Sequence, residues 1–285
     1  FRNANGGNAA GGACISCASS SSEDVILIED CKFDNCFITR ESGASLAICF
    51  NPISAEVKLR HNFFWNMVKH YVVILVYNDN PAIDRQTKFE DCYFEHNSYS
   101  IGGDGGGSGM WVQKGGSAHS LIFETCTFLN NSCTNSLGGG ALSFGMGSDS
   151  TKNILLTFDH CNFINNNASQ RGGALAIATI YPINILDCFF DGNRALGSAN
   201  GYGGAIFIQQ PSIDGSYSST NTVISSCRFA RNSAQLNGGA IIFESQSGLN
   251  MTSCQFGGPD SYNRAYSLGT NLYLRFYGNQ NSYIT

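Results

Sequence analysis

Short stretches of alternating apolar and polar residues recur along this chain, each running up to a cysteine and resuming after it. Leu121 and Phe123 stand five and three positions before Cys126, and Phe128 stands two positions after it. Alternation with a period of two predicts β-strands. The three-residue step from Phe123 to Cys126 breaks that period. We therefore predict a bend at residues 124–125 that keeps both apolar sets on one side.

A longer motif encloses these strands. It reads Cys-x-Phe-x-x-Asn, and after a stretch of variable length it continues with Gly-Gly-Ala and an aliphatic residue. In the four clearest copies, the Gly-Gly-Ala-aliphatic element occupies residues 139–142, 172–175, 203–206 and 238–241. Self-similarity at a period of about thirty residues indicates a solenoid, because one such unit can bury its apolar face only against its neighbours.

The residues after the glycine pair predict another strand in each unit. Leu142 and Phe144 alternate with polar or small residues, and the glycines before them suit a tight turn. With 33 glycines and no long run at helical spacing, helices are disfavoured. The sequence predicts an all-β fold, a right-handed parallel β-helix of about eight to nine coils with roughly 30 residues each. We expect one domain over residues 1–285, and, since the chain opens inside a repeat, a segment of a longer protein.

The motif predicts three stacked columns inside the solenoid. We expect the cysteines and phenylalanines to be buried and the asparagines to bond one coil to the next at a turn. The predicted column residues are Cys126, Cys161, Cys188, Cys227, Phe128, Phe163, Phe190, Phe229, Asn131, Asn166, Asn193 and Asn232. In an altered copy, His61 is predicted to replace the cysteine as a packed core residue, with Asn66 in the asparagine column.

Twelve cysteines require an account of their oxidation state. Side chains in one column stand about 4.8 Å apart and point the same way, which disfavours disulfides between them. The irregular cysteines are different, because four of the five cluster in the first two coils. Those five are Cys14, Cys17, Cys36, Cys49 and Cys133. A disulfide at the N-terminal end is compatible with an extracellular protein, and the sequence leaves open whether any of these residues is oxidised.

Composition limits the classes of partner. The net charge is −5 and 13% of the residues are charged, so electrostatic capture of nucleic acid or of an anionic membrane is disfavoured. The apolar run at residues 71–77 is too short to span a bilayer and predicts a buried strand. Asn130, Asn167 and Asn250 begin Asn-x-Ser/Thr sequons, which are candidates for N-glycosylation if the protein is eukaryotic and secreted.

Candidate chemistry is sparse. Glu90, Glu124 and Asp159 each precede a motif cysteine by two positions, so they are predicted to stack at one corner. Carboxylates stacked in this way are candidate calcium ligands, and the alternative is that water screens them at an exposed bend. The five histidines are scattered, and the sequence contains no Asp-Asp pair. We predict no catalytic residue and no cofactor. Exposed aromatics such as Tyr262 and Tyr266 are candidates for stacking on sugar rings.

The paired Gly-Gly-Ala-Ile/Leu and Phe-x-x-Asn motifs resemble the repeats of the polymorphic membrane protein family of chlamydial outer-membrane autotransporters, and similar repeats occur in large surface proteins of protists and bacteria. The resemblance implies a right-handed parallel β-helix at a cell surface, serving adhesion or structure. We therefore expect a non-catalytic extracellular structural protein of a surface filament, sheath or adhesin stalk that stacks with further β-helical units. The alternatives are a pectate-lyase-like carbohydrate-active enzyme and a glycan-binding adhesin module.

Overall fold

The structure is a computed structural model, and every structural statement below concerns the stretches that it describes. They are residue 2 and residues 14–19, 25–36, 45–52, 56–69, 71–76, 85–100, 110–113, 119–134, 138–144, 154–179, 182–210, 222–245, 248–258, 260–276 and 283–284. The side chains of Cys17 and Cys49 lie outside the described residues.

The described strands pair in parallel and form five sheets. Sheet 1 has nine strands: β2 (Val25–Glu29), β5 (Glu56–Arg60), β9 (Arg85–Glu90), β13 (His119–Glu124), β17 (Ile154–Asp159), β21 (Ile183–Leu186), β25 (Thr222–Ser225), β29 (Leu249–Thr252) and β33 (Tyr283–Ile284). Sheet 2 has eight: β3 (Lys32–Asp34), β6 (Phe63–Trp65), β10 (Tyr93–Glu95), β14 (Thr127–Leu129), β18 (Asn162–Ile164), β22 (Phe189–Asp191), β26 (Arg228–Ala230) and β30 (Gln255–Phe256).

The other three sheets are shorter. Sheet 3 has seven strands: β7 (Val68–Lys69), β11 (Ser98–Tyr99), β15 (Ser132–Cys133), β19 (Asn167–Ala168), β23 (Arg194–Ala195), β27 (Ser233–Ala234) and β31 (Arg264–Ala265). Sheet 4 has five: β16 (Leu142–Phe144), β20 (Leu175–Ile177), β24 (Ile206–Gln210), β28 (Ile241–Ser245) and β32 (Leu272–Phe276). Sheet 5 has four: β1 (Ile15–Ser19), β4 (Ser45–Pro52), β8 (Tyr71–Val76) and β12 (Met110–Gln113).

Seven successive coils of the described residues each contribute one strand in turn to sheets 1, 2 and 3, and the inner strands pair with their counterparts in the coils before and after. Thus β13 pairs with β9 and β17, and β14 pairs with β10 and β18. This topology confirms the all-β parallel solenoid. The two-residue strands of sheet 3 were not predicted. Among the described residues no helix has the length and apolar content to cross a membrane.

The predicted bends are present and have a specific backbone conformation. Thr125 and His160 both have φ of 52°, between the last residue of the sheet 1 strand and the column cysteine. A second bend of the same kind precedes the asparagine, with φ of 55° at Asn130 and 53° at Asn165. This left-handed region favours Asn, Asp and His among residues with a side chain. A three-residue step along a regular strand would turn the next apolar side chain outward. Each bend turns that side chain back toward the interior.

One altered copy has a register different from the prediction. Phe64, rather than Phe63, pairs with Phe94. Asn62 therefore takes the cysteine position and is 1% exposed, while His61 lies on the exposed bend with φ of 52°. The prediction that His61 is a packed core residue was wrong, because two aromatic residues in succession made both registers compatible with the pattern.

The same shift moves the asparagine position of that coil. Asn66 lies at the second bend with φ of 52° and is only half-buried. Met67 follows it and is fully buried at the position that Asn97 occupies one coil later. The prediction that places Asn66 in the column was therefore wrong by one residue.

Phenylalanine rings form a stack through the core. Neighbouring rings lie 4.7 to 5.0 Å apart, and their planes differ by at most 16°. The members are Phe33, Phe64, Phe94, Phe128, Phe163, Phe190, Phe229 and Phe256. The spacing follows from the separation of hydrogen-bonded strands, about 4.8 Å. The stack is therefore a direct consequence of placing Phe at one register position in every coil.

The two glycines of the Gly172-Gly173 pair have different roles. Gly172 has φ of 59°, which a residue without a Cβ adopts at no steric cost. At Gly173 the limit is space, since a Cβ there would collide with the carbonyl oxygen of Gly204 in the next coil. The predicted turn accounts for the first glycine, and close stacking of the coils accounts for the second.

Candidate functional site

The column cysteines lie inside the solenoid. Cys126, Cys161, Cys188 and Cys227 are each at most 2% exposed. The Cys161 thiol lies within donating distance of two backbone carbonyl oxygens, 3.4 Å from that of Phe123 in the preceding coil and 3.4 Å from that of Asp159. No disulfide joins any two of the ten cysteines whose side chains are described.

The environment of these thiols determines their reactivity. Burial raises the pKa of the Cys126 and Cys188 thiols well above its ordinary value. Because the thiolate is the nucleophile, a buried neutral thiol is a poor one. Cys126 and Cys188 are therefore small packed side chains that hydrogen-bond backbone carbonyls.

The asparagine column is a hydrogen-bonded ladder. The backbone N–H of Asn166 donates to Oδ1 of Asn193 at 3.0 Å, and its side-chain amide donates to the same oxygen at 3.0 Å. The amide also donates to the backbone carbonyl of Phe128 at 2.9 Å. The same pattern continues along the coils; its members are Asn97, Asn131, Asn166, Asn193, Asn232 and Asn263. All are at most 1% exposed, so their amides hydrogen-bond neighbouring coils and are not accessible to a ligand.

Asn263 was not among the asparagine-column residues predicted from the sequence. The chain between Phe256 and Asn263 is longer than in other copies, and Asn263 still accepts the Asn232 amide at 2.9 Å. A usable signal was present, because Asn-Arg-Ala at residues 263–265 repeats Asn-Arg-Ala at residues 193–195. Alignment by the residues after the asparagine would have found it.

The acidic column has nearby cationic partners. Glu90, Glu124 and Asp159 are in register in sheet 1. Glu90 pairs with Arg60 at 3.0 Å, and Lys88 lies 2.5 Å from Glu124. The hydrogen bond to Glu124 raises the pKa of Lys88. Two of the three candidate calcium ligands are thus neutralised by side chains of the same sheet, while binding of calcium itself stays a prediction.

A different group brings ligand atoms together at that corner. One atom each from Asp159, His160 and Asp187 lies within 4.8 Å of the others. The His160 Nδ1 atom is 2.7 Å from Oδ1 of Asp159, and this hydrogen bond raises the pKa of the imidazole. Oxygen and nitrogen ligands of this kind can coordinate a divalent cation. A His–Asp pair also occurs three coils earlier, where His61 lies 3.3 Å from Asp30.

A cleft with an unusual lining lies over the last coils of sheet 3. Its volume is about 730 Å³, and its lining includes Arg194, Arg231, Arg264, Tyr262 and Tyr266. Both tyrosines are strongly exposed, at 66% and 77%. Arg194 and Arg264 stand at the same register position two coils apart, with the small Ser233 between them. We call this feature the arginine cleft.

The charges of the arginine cleft are only partly balanced. Arg231 forms a bidentate pair with Asp191, which raises the pKa of the guanidinium. Arg194 and Arg264 form no ion pair with any residue of the described stretches. Two guanidinium groups beside two exposed phenol rings can bind a carboxylate or sulfate and stack on a flat apolar face. The sequence analysis had named the tyrosines as possible sugar contacts but had not named these arginines.

The sequons lie on the outer surface of the coils. Asn130 is half-buried at the second bend, with its amide nitrogen 3.5 Å from Nε2 of His96. Asn167 is half-buried in β19, and Asn250 is exposed in β29. Their glycosylation stays a prediction.

No protein family model, no curated protein and no solved structure matches this chain. A function therefore has to be inferred from the geometry of the chain itself.

Proposed function

We propose that this chain is a non-catalytic structural protein of the extracellular surface, a β-solenoid that contributes to a filament, a sheath or an adhesin stalk. The observation that supports this most is the asparagine ladder. Its buried amides donate to and accept from one another and the backbone across at least six coils. An interior built in this way stabilises a long regular rod. Its asparagine amides are buried and already hydrogen-bonded, so they do not act on a substrate.

Three observations support the extracellular location. The charged fraction is only 13%, and three sequons lie on accessible strands and bends. The resemblance of the repeat motif to cell-surface repeat proteins points the same way. Occupied glycans at Asn130, Asn167 or Asn250 in protein isolated from its source would support this location, and an unmodified protein recovered from a reducing cytosol would contradict it.

Stacking with further β-helical units belongs to the same proposal. Parallel strands in register present hydrogen-bonding groups along the solenoid axis, and an added coil can pair with them. Negative-stain electron microscopy at increasing protein concentration tests this. Rods whose length grows with concentration are expected, and a monodisperse monomer at every concentration would refute self-association.

An enzymatic role is the main competing function, because solenoids of this class serve both purposes. Lyase or hydrolase chemistry on acidic polysaccharides requires carboxylates that act on a cation or a proton at the cleaved bond. Here Glu90 and Glu124 are engaged by Arg60 and Lys88. We expect no depolymerisation of pectin-like or alginate-like substrates, with or without calcium. Release of unsaturated sugars that is abolished in Asp159→Asn would overturn the proposal.

The arginine cleft favours a second function, the binding of glycans. Tyr262 and Tyr266 expose ring faces, and sugar rings stack on such faces through their C–H groups. A glycan array with Tyr262→Ala/Tyr266→Ala as the variant tests this function. Arg228→Ala is the matched control, because Arg228 covers Phe189 at 5.5 Å and does not line the cleft. We expect only the double variant to lose glycan binding. Equal binding by the wild type, the double variant and Arg228→Ala would exclude the arginine cleft as the glycan-binding site.

A further inference from the structure

Two thiols meet at the N-terminal coils at unusually short range. The Sγ atom of Cys14 lies 2.8 Å from the Sγ atom of Cys36. In the cysteine column, by contrast, sulfur to carbonyl oxygen distances run from 3.1 Å at Cys188 upwards, although oxygen is the smaller atom. Cys36 is 1% exposed and Cys14 is half-buried against the same core. The two sulfurs are thus held together in the interior.

Cys36 occupies a position where later coils have an asparagine. It follows Phe33 by three residues, as Asn97 follows Phe94. The ladder begins at Asn97, and the two earlier positions hold Met67 and Cys36, whose side chains lack an amide. The buried amide link between coils is therefore missing where the two thiols meet.

The column cysteines show why this pair is different. Cys161 lies between Cys126 and Cys188 at the same position of successive coils, and its thiol is directed at backbone carbonyls. Cys14 and Cys36 come from different kinds of position. Cys14 directly precedes β1 in sheet 5, and Cys36 comes two residues after the end of β3 in sheet 2, beyond the bend at Asn35. Their side chains approach each other from positions beside two different sheets. The parallel side-chain direction that disfavours disulfides within the column therefore does not apply to this pair.

We propose that Cys14 and Cys36 form a disulfide that links the first coils across the core in an oxidising environment. The reaction is exchange with a small-molecule disulfide such as oxidised glutathione. One cysteine thiolate attacks the small disulfide, forms a mixed disulfide and releases one reduced thiol. The other thiolate attacks the protein sulfur of that mixed disulfide and releases the second. The two protons of the protein thiols end on the two released thiols. This cross-link goes beyond the proposed structural function and does not depend on the identity of any ligand.

The test is thiol mapping by mass spectrometry. The chain is equilibrated with a mixture of oxidised and reduced glutathione, denatured, alkylated with N-ethylmaleimide and digested without reductant. We expect one peptide cross-linked through Cys14 and Cys36, while Cys126, Cys161 and Cys188 carry the alkyl group. Alkylation of both Cys14 and Cys36 would overturn the proposal, and so would a link from either one to Cys17 or Cys49.

Variants separate this disulfide from a general effect of oxidation. In Cys14→Ser, Cys36 should become fully alkylated, and in Cys133→Ser the cross-link should persist, because Cys133 is buried in a different column. Reductant should lower the thermal midpoint of the wild type by about 5 °C, the order expected for a link closing a loop of this length. It should leave Cys14→Ser unchanged. An equal shift in both proteins would contradict the proposed role of the cross-link.

Discussion

The central coils and the N-terminal coils share one backbone frame but are connected differently inside. In the central coils, buried asparagines such as Asn131 and Asn166 hydrogen-bond one coil to the next. In the N-terminal coils the same position holds Met67 and Cys36, while the phenylalanine stack continues without interruption through Phe64 and Phe33. Strand pairing and ring stacking therefore define the coil. The polar ladder adds stability to it, and other chemistry can replace that ladder locally.

The largest expected effect lies in the feature that both regions share. Phe163 stacks on Phe128 at 4.8 Å and on Phe190 at 4.7 Å and is fully buried. We expect Phe163→Ala to lower the free energy of unfolding by about 3–5 kcal/mol, because the coils above and below prevent collapse of the cavity. Urea denaturation measures this loss.

The matched control for that prediction is Phe256→Ala. Phe256 is half-buried and stacks on Phe229 at 5.0 Å, so truncation should cost clearly less than at Phe163. Equal losses at the two positions would show that burial within the stack does not govern stability.

Exchanging the residues that distinguish the two regions should lower the free energy of unfolding more in the central coils than in the N-terminal coils. Asn166→Met removes the acceptor of the Asn131 amide and the donor to the Phe128 carbonyl, so it should cost about 3 kcal/mol. Met67→Asn places an amide next to Asn97, whose Oδ1 already accepts the Met67 N–H at 3.0 Å. We expect this change to cost about 1 kcal/mol or less, since part of the lost packing is offset by an extended ladder. Denaturant titration of both variants checks the difference, and similar losses would contradict the distinction between the regions.

The cysteine column offers a smaller test within the N-terminal coils. Asn62 occupies a cysteine position, donates to the carbonyl of Ile28 at 2.8 Å and accepts the N–H of Cys31 at 3.0 Å. Asn62→Cys should cost about 1 kcal/mol, because a thiol there can donate to the same carbonyl, as Cys92 does to Leu59. Asn62→Ala leaves both backbone groups unpaired and should cost about 2 kcal/mol. Thermal denaturation that ranks the two variants in the opposite order would refute this equivalence.

The smallest effect concerns the exposed corner. The hydrogen bond to Asp159 raises the pKa of His160 in the folded chain above its ordinary value. Its contribution to stability is therefore fully present below a pH of about 6.5 and is lost as pH rises through the higher folded pKa. The difference in thermal midpoint between wild type and His160→Gln should shrink between about pH 6 and pH 8. A difference that grows with pH would contradict the assigned pair.

The sequence determined the fold because the same residue types recur at the same offsets. Leu121, Phe123, Cys126 and Phe128 predict two strands and the bend between them, and the structure has that bend at Thr125. The prediction of register failed where two registers fitted the sequence pattern equally well, as at Phe63 and Phe64. The strands of sheet 3 were also missed, because two residues are too short to show a period.

Less of the candidate sites than of the fold could be predicted from the sequence. The arginine cleft depends on Arg194 and Arg264, which lie seventy residues apart and become neighbours only through the coil register. The Cys14–Cys36 contact likewise depends on an approach across the core. In both cases loops of uneven length conceal from the sequence which residues will face each other.

Hydrogen exchange of the asparagine side-chain amides, followed by NMR, tests the central claim most directly. The amides of Asn131, Asn166, Asn193 and Asn232 are buried and hydrogen-bonded, whereas Asn66 lies half-exposed at a bend. If the ladder links the coils, the four buried amide signals persist in deuterated buffer long after the Asn66 signal has disappeared. Loss of all five at the same rate would show that no continuous ladder connects the coils.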